Sequence, residues 1–90
     1  MLTKLFVVVV YDAGQKRDSK LLKICRKFLL HSQKSVFEGY LYENEIEKLK
    51  KQIENVINTE DDQVVIYRFK NNNKIEKEII GYHITFSEII

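Results

Sequence analysis

The feature that most constrains the fold is an unbroken apolar run near the start of the chain. Residues 5–11 read Leu-Phe-Val-Val-Val-Val-Tyr, and the run stops at Asp12. β-Branched and aromatic residues favour strands, and a run without alternation is typical of a central strand buried on both faces. It is far shorter than the ~20 residues that cross a bilayer, and no small-residue cleavage site follows. Neither a membrane span nor a signal peptide is predicted.

A helical pattern follows the strand, from about Arg17 to Leu30. Apolar residues fall on one side of this helix and lysines spaced 4-3-4 on the other: Leu21, Ile24, Cys25 and Phe28, against Lys16, Lys20, Lys23 and Lys27. Because Cys25 belongs to the apolar stripe, we expect it in the core rather than acting as a nucleophile.

The remaining patterns predict the fold class. Residues 34–42 read as extended with Gly39 as a kink or bulge, 43–57 as a second amphipathic helix, and 63–70 and 75–80 as strands around a turn. This order predicts an α+β, ferredoxin-like βαββαβ sandwich with an extra C-terminal strand, one domain over residues 1–90. The apolar tail, residues 82–90, is expected to add to a partner's sheet edge in a homodimer.

Charge is unevenly distributed along the chain. Residues 14–37 hold seven basic side chains and one acid, whereas the rest of the chain holds eight basic and twelve acidic ones. Such a basic element is the footprint expected for a polyanion partner, and the alternative is a solvated helix face that keeps the protein soluble. The single cysteine and the lack of a Cys/His cluster exclude disulfide-stapled and zinc folds. We expect a small cytoplasmic protein.

Asp12 is the first candidate for chemistry. A carboxylate that follows a buried strand and opens a loop into a basic helix is well placed to hold Mg²⁺, although most such residues serve as turn or cap residues. His31 and His83 have no nucleophile or acid at a useful spacing, and we expect His31 to meet the terminal carbonyls of the first helix. Because Gly-rich phosphate loops and nucleophile elbows are missing, we expect neither a nucleotide-dependent enzyme nor a hydrolase with a covalent intermediate.

Aromatic residues in the predicted strands allow a second kind of nucleic-acid site. They could form a platform on which single-stranded RNA bases stack, although aromatic residues in strands more often belong to the core. The residues concerned are Phe37, Tyr40, Tyr42, Tyr67 and Phe69.

Two segments resemble a known family. The first is the strand ending at Asp12, followed shortly by Lys16 and Arg17; the second is residues 31–39, His-Ser-Gln-Lys-Ser-Val-Phe-Glu-Gly. The second is similar to a Gln-x-Ser-Val-Phe-Glu segment of the CRISPR-associated endoribonucleases, the smaller of the two universal CRISPR adaptation proteins. The resemblance extends over about residues 4–80, with strand, helix, motif, helix and strand in the family's order.

The resemblance implies a ferredoxin-like homodimer with paired Asp12 residues near the dimer interface. Family members cleave single-stranded RNA or double-stranded DNA with a metal, or form the scaffold between integrase dimers that insert spacers. Asp12 would then hold Mg²⁺ as the catalytic ligand, Phe37 would pack at the dimer or between strands, and Ser35 would shape the strand near Asp12. The residues implied to track duplex phosphates are Lys16, Arg17, Lys20, Lys23 and Lys27.

One departure from the family bears on catalysis. Many relatives carry further acids in the loop after the first strand, where this chain has Ala-Gly-Gln at residues 13–15. Fewer carboxylates predict weaker metal binding. The alternatives to a nuclease are a purely structural adaptation subunit and, in another class, a toxin-type ribonuclease of the same fold.

Overall fold

The computed structural model describes residues 3–82, which form two helices and five strands. These elements are β1 (Leu5–Asp12), α1 (Gln15–Phe28), β2 (Leu30–Gln33), β3 (Val36–Leu41), α2 (Glu43–Glu54), β4 (Gln63–Phe69) and β5 (Ile75–Gly81). The strands make one antiparallel sheet in the order β2-β3-β1-β4-β5. The predicted α+β class and its βαββαβ order with an extra C-terminal strand are confirmed. Of the predicted tail, residues 83–90 lie outside the described residues.

β1 is the middle strand, as its unbroken apolar run predicts, and it pairs with β3 on one side and β4 on the other. Its burial nevertheless alternates along the strand. Leu5, Val7, Val9 and Tyr11 are buried beneath the helices, whereas the residues between them stay partly exposed in the single chain. The expectation that β1 is buried on both faces is therefore wrong for one chain, because both helices pack on the same face and no element within residues 3–82 covers the opposite face.

The two helices bury their apolar stripes against the covered face of the sheet. The stripes are Leu21, Ile24 and Cys25 from α1, and Ile46, Leu49 and Ile53 from α2. Burial raises the pKa of the Cys25 thiol to about 12, so it stays protonated at neutral pH and packs as a small apolar group. The assignment of Cys25 to the core is confirmed. Neither helix is long and apolar enough to span a bilayer, a finding that covers residues 3–82.

The bounds of α1 differ from the predicted ones because a strand begins where the apolar helical pattern continues. The backbone of Leu29 is extended, with φ −134° and ψ 167°, and its amide donates to the carbonyl of Cys25 at 2.8 Å. α1 therefore ends at Phe28. The next residues form β2, the edge strand of a hairpin with β3, so the segment predicted as one extended stretch is half of this hairpin.

Gly39 is not at a bulge. It pairs in regular register with Val7, and the irregularity of the hairpin lies in β2 between His31 and Gln33. The turn of the hairpin contains Lys34 with a positive φ of 41°, a conformation that side chains other than glycine, asparagine and aspartate adopt rarely.

α2 starts where the amide of Tyr42 donates to the Glu45 carboxylate at 2.8 Å, which satisfies an otherwise unpaired donor at the helix start. The helix ends at Glu54, three residues earlier than predicted, and Ile57 lies in the following turn. On the sheet beneath α2, the buried guanidinium of Arg68 forms an ion pair with Glu78 at 2.8 Å.

Candidate nucleic-acid interface and strand-end carboxylates

Asp12 is the last residue of β1 and is exposed. Side chains alternate across the sheet, so the Asp12 carboxylate lies on the uncovered face, opposite Gln63 of β4. Among residues 3–82, no three His, Cys, Asp or Glu side chains are grouped to hold a metal ion. The hard oxygen donors of one carboxylate still fit Mg²⁺, which keeps several waters and often takes only one or two protein carboxylates.

The strand end that carries Asp12 is fixed through its neighbour Tyr11. The Tyr11 amide donates to the carbonyl of Ser35 at 3.1 Å, which places Ser35 beside the last residues of β1. The Tyr11 ring is buried and lies parallel to the Phe37 ring, with centroids 6.1 Å apart. Burial, together with the nearby Asp18 carboxylate, raises the pKa of Tyr11 to about 12, so the phenol stays neutral.

Phe37 lies on the covered face of the sheet and is fully buried. Its ring packs between Tyr11 and the imidazole of His31, whose centroid is 4.6 Å away. The structure thus places Phe37 at a contact between neighbouring strands, away from the uncovered face. The expected contact of His31 with the end of α1 is not observed, because His31 lies in β2 and its Nε2 meets the carbonyl of Lys34.

The lysines of α1 form an exposed row along the helix, which we call the lysine row: Lys16, Lys20, Lys23 and Lys27. Within residues 3–82, no acid forms an ion pair with any of the four. Lys27 donates instead to the neutral side-chain oxygen of Gln52 on α2, at 2.8 Å. The full positive charge of the row is therefore available to a partner in solution.

Arg17, by contrast, is already engaged. Its Nε donates to the carboxylate of Asp62, a fully buried residue just before β4, and this hydrogen bond raises the pKa of Arg17. The structure thus separates Arg17 from the lysine row, with which the sequence grouped it. Sequence reasoning missed Asp62, which reads as part of an acidic loop. No local signal in the sequence marks it, because its place near Asp12 depends on the pairing of β4 with β1.

The uncovered face of the sheet is rich in apolar side chains. Phe6 of β1 contacts Tyr40 of β3 and Phe69 of β4, with ring centroids 5.2 and 5.5 Å apart. Tyr40 is 64% exposed and Phe69 36% exposed. In the register of β1 with its neighbours, valines follow the aromatic row toward the Asp12 end: Val8, Val10, Val36 and Val65. This largely apolar surface, which we call the open face, also carries Glu38 opposite Val8 and has Asp12 at its border.

Comparison with known proteins identifies the family. The sequence model described as CRISPR associated protein Cas2 matches residues 5–77. This chain belongs to the Cas2 family. It is 40% identical over 77 residues to a CRISPR-associated endoribonuclease Cas2 of Dictyoglomus turgidum, covering 86% of this chain and 88% of the relative. It is 35% identical to a Cas2 of Archaeoglobus fulgidus, covering 90% and 88%.

Solved structures agree with the Cas2 assignment. A crystal structure described as cas2 superposes with a TM-score of 0.73 at 31% identity, covering 98% of this chain and 99% of that one. A hypothetical protein from Thermus thermophilus shares the fold, with a TM-score of 0.65 at 22% identity over 97% and 92% of the two chains. The recognised resemblance to the CRISPR-associated endoribonucleases is confirmed.

Proposed function

We propose that this Cas2-family protein is a dimeric scaffold that binds double-stranded DNA in the complex that integrates new CRISPR spacers. The observation that carries the proposal is the lysine row, four exposed cations on one helix whose charge no described acid neutralises. Lys27 follows Lys16 by eleven positions, which corresponds to about 16 Å along a helix. Duplex DNA presents a charge about every 1.7 Å of its axis, so the row faces several phosphates at once.

Binding of this kind is independent of base sequence. Lysine ammonium groups act as point charges toward phosphate oxygens, and contacts to phosphates position a protein on a duplex without reading its bases. A scaffold for spacers of arbitrary sequence needs this property. Arg17 is left out of the proposed contact because its guanidinium is paired with Asp62.

The open face supports the dimeric part of the proposal. Partly exposed valines and an aromatic row across three strands are the composition of a surface that is covered by another apolar surface. A second copy placed there would cover the outward residues of β1 and would give the four-valine run the two-sided burial that its composition predicts. The CRISPR integrase subunits would then bind elsewhere on the dimer.

A metal-dependent nuclease is the second candidate function, and the exposure of Asp12 at the border of the open face favours it. In a dimer formed through that face, the carboxylates of two Asp12 residues would approach the same region and together could hold Mg²⁺. Such an ion polarises a phosphate and lowers the pKa of a bound water. The relatives named endoribonucleases make single-stranded RNA the first substrate to test, and double-stranded DNA the second.

One experiment separates the two functions. Wild-type protein and the Asp12→Asn variant are incubated with labelled duplex DNA and labelled single-stranded RNA, with and without Mg²⁺, and binding and cleavage are both scored. A scaffold binds the duplex equally well in both forms and cuts neither substrate. Mg²⁺-dependent cleavage that Asp12→Asn abolishes establishes the nuclease, and a wild type that does not bind duplex DNA contradicts the scaffold.

The integration reaction provides the second test. When the protein is combined with its CRISPR integrase and a spacer-length duplex, replacing the four lysines of the row by alanine should abolish insertion, whereas Asp12→Asn should leave it intact. A toxin-type ribonuclease predicts a different result: expression of the wild-type protein would arrest growth of the host, and expression of Asp12→Asn would not.

A further inference from the structure

Asp62 is the buried carboxylate at which three parts of the chain meet. One side-chain oxygen, Oδ1, accepts from the amide of Gly14 at 3.2 Å. The other, Oδ2, accepts from the amide of Asn58 at 2.8 Å and from Nε of Arg17. The β1–α1 loop, the first turn of α1 and the α2–β4 loop therefore all end on one carboxylate.

The backbone of Asp62 adds further contacts. Its amide donates to the carbonyl of Asn58, and its carbonyl accepts from the amide of Tyr82, both at 2.8 Å. Gly81 has a φ of +94°, and a Cβ there would come within 2.3 Å of the Asp62 oxygen. The end of β5 is thus packed directly onto the same residue.

These contacts bear on both parts of the candidate site. Gly14 lies two residues after Asp12, and Gln63, which follows Asp62, is the partner of Asp12 in the β1–β4 ladder. Arg17 neighbours Lys16, the first member of the lysine row. A displacement of Asp62 would therefore move the β1–α1 loop that follows Asp12, which we call the Asp12 loop, with respect to the start of the lysine row.

The chemistry of the contacts requires a carboxylate. All three side-chain partners are donors, and an ionised carboxylate is the side chain that only accepts. Burial alone would raise the pKa of Asp62, but the hydrogen bonds from Arg17, Asn58 and Gly14 outweigh it, and the pKa lies below its ordinary range. An asparagine would direct its NH₂ group toward at least one of these donors, leaving a partly buried donor without its acceptor.

We propose that Asp62 is the positioning residue of the DNA-binding surface, holding the Asp12 loop and the first turn of α1 through Gly14 and Arg17. The proposal concerns the same site as the proposed function and rests on it for its DNA readout. Arg17 acts through Asp62 and is not itself a phosphate contact.

A positioning role for Asp62 predicts a change in DNA affinity opposite to the one expected from charge alone. Removing an acid close to a surface that binds a polyanion should strengthen binding. Asp61→Asn removes one negative charge at the neighbouring exposed position and should bind duplex DNA as tightly as wild type or more tightly. Asp62→Asn removes the same charge, yet we expect affinity to fall about fivefold or more. Affinities are measured at a temperature at which all variants are folded.

A readout in the free protein tests the positioning without DNA. The Gly14 amide should be protected from hydrogen exchange in wild type and in Asp61→Asn, and should lose protection in Asp62→Asn beyond any loss in the remaining β-sheet amides. The exchange measurement does not depend on DNA binding. A wild-type protein that does not bind the duplex would refute the proposed function, and the exchange data would still decide whether Asp62 holds the loop.

The role of Arg17 is tested by a double-mutant cycle with Arg17→Gln and Asp62→Asn. If Arg17 acts through Asp62, the double variant binds DNA no more weakly than Asp62→Asn alone. If the two substitutions lower DNA affinity additively, Arg17 is a direct phosphate contact and the proposal is overturned. The proposal is also overturned if Asp62→Asn matches Asp61→Asn in both DNA affinity and hydrogen exchange of the Gly14 amide. If Asp62→Asn does not fold, Arg17→Gln alone must lower Gly14 protection.

Discussion

The rings of Phe37 and His31 stack across the β2–β3 hairpin, with 16° between their planes and centroids 4.6 Å apart. One partner is fully buried on the covered face and the other lies on the exposed edge strand. The pair therefore joins the edge of the sheet to its core. Since this contact lies on the helix side, Phe37 stabilises the individual subunit.

Replacing Phe37 by alanine should lower the free energy of unfolding by about 3–5 kcal/mol, the range for deleting a buried aromatic ring. The measurement is urea denaturation at fixed protein concentration, because dimerisation makes stability depend on concentration. Leu30→Ala is the control: Leu30 is 76% exposed, and its loss should change stability by less than about 0.5 kcal/mol. Coinciding unfolding curves for wild type and Phe37→Ala would show that the ring is not buried.

Acidic pH should weaken the ion pairs that Glu78 forms with Lys50 and Arg68. Partial burial alone would raise the pKa of Glu78, but hydrogen bonds and charge from Lys50 and Arg68 outweigh it and lower the pKa. A carboxyl with a depressed pKa in the folded state stabilises the protein above its unfolded pKa, about 4.3, and this stabilisation is lost as pH falls through the folded pKa.

Glu78→Gln should therefore destabilise the protein at pH 7, and its difference from wild type should shrink as the pH drops below about 4. The comparison uses thermal unfolding across this pH range, with exposed Glu60→Gln as the control. A difference between wild type and Glu78→Gln that stays constant from pH 7 to pH 3 would contradict the lowered pKa.

The lysine row should determine the salt dependence of DNA binding. Each phosphate contact contributes about 0.9 to the slope of log affinity against log salt concentration, so Lys20→Ala should reduce the steepness by about that amount. Lys74→Ala removes an equally exposed lysine from the β4–β5 turn and should leave the slope unchanged. Equal slopes for wild type and Lys20→Ala would exclude this face of α1 from the interface.

The open face should hold the dimer together. Val65 lies among its valines, opposite Val10, and a lysine there places a charge in the proposed contact while its long stem can still reach solvent in a monomer. Sedimentation equilibrium should find Val65→Lys monomeric, and Ser19→Lys on exposed α1 should sediment like wild type. A dimer that withstands Val65→Lys would place the interface elsewhere.

Local sequence patterns predicted the element order because both helices carry apolar residues at helical spacing, and most of the strands are rich in β-branched and aromatic residues. The predicted order includes two strands between the helices, but the bounds of β2 and the position of the β2–β3 turn escaped prediction for a local reason. Leu29 and Leu30 continue the apolar pattern of α1, and the turn at Lys34 and Ser35 contains no glycine, asparagine or proline to mark it. Backbone pairing with β3 begins at Leu30 and outweighs the helical preference of this segment.

The candidate site was predictable to a different degree. The lysine row follows from helical spacing alone, and Asp12 from the end of an apolar run. Asp62 could not be predicted, because its partners Gly14 and Arg17 are 48 and 45 residues away along the chain. A contact at that separation is set by the packing of the sheet and helices and has no local sequence signature.

The alternating burial of β1 also gives Asp12 a part in folding. The four identical valines at residues 7–10 cannot distinguish one strand register from the next, since any of them suits either face. A slip by one residue would turn every side chain of β1 to the other face and carry the Asp12 carboxylate toward the side where Asp62 is already buried. We therefore expect the charge at position 12 to disfavour this slip, and the refolding yield of Asp12→Asn belongs beside any measurement of its activity.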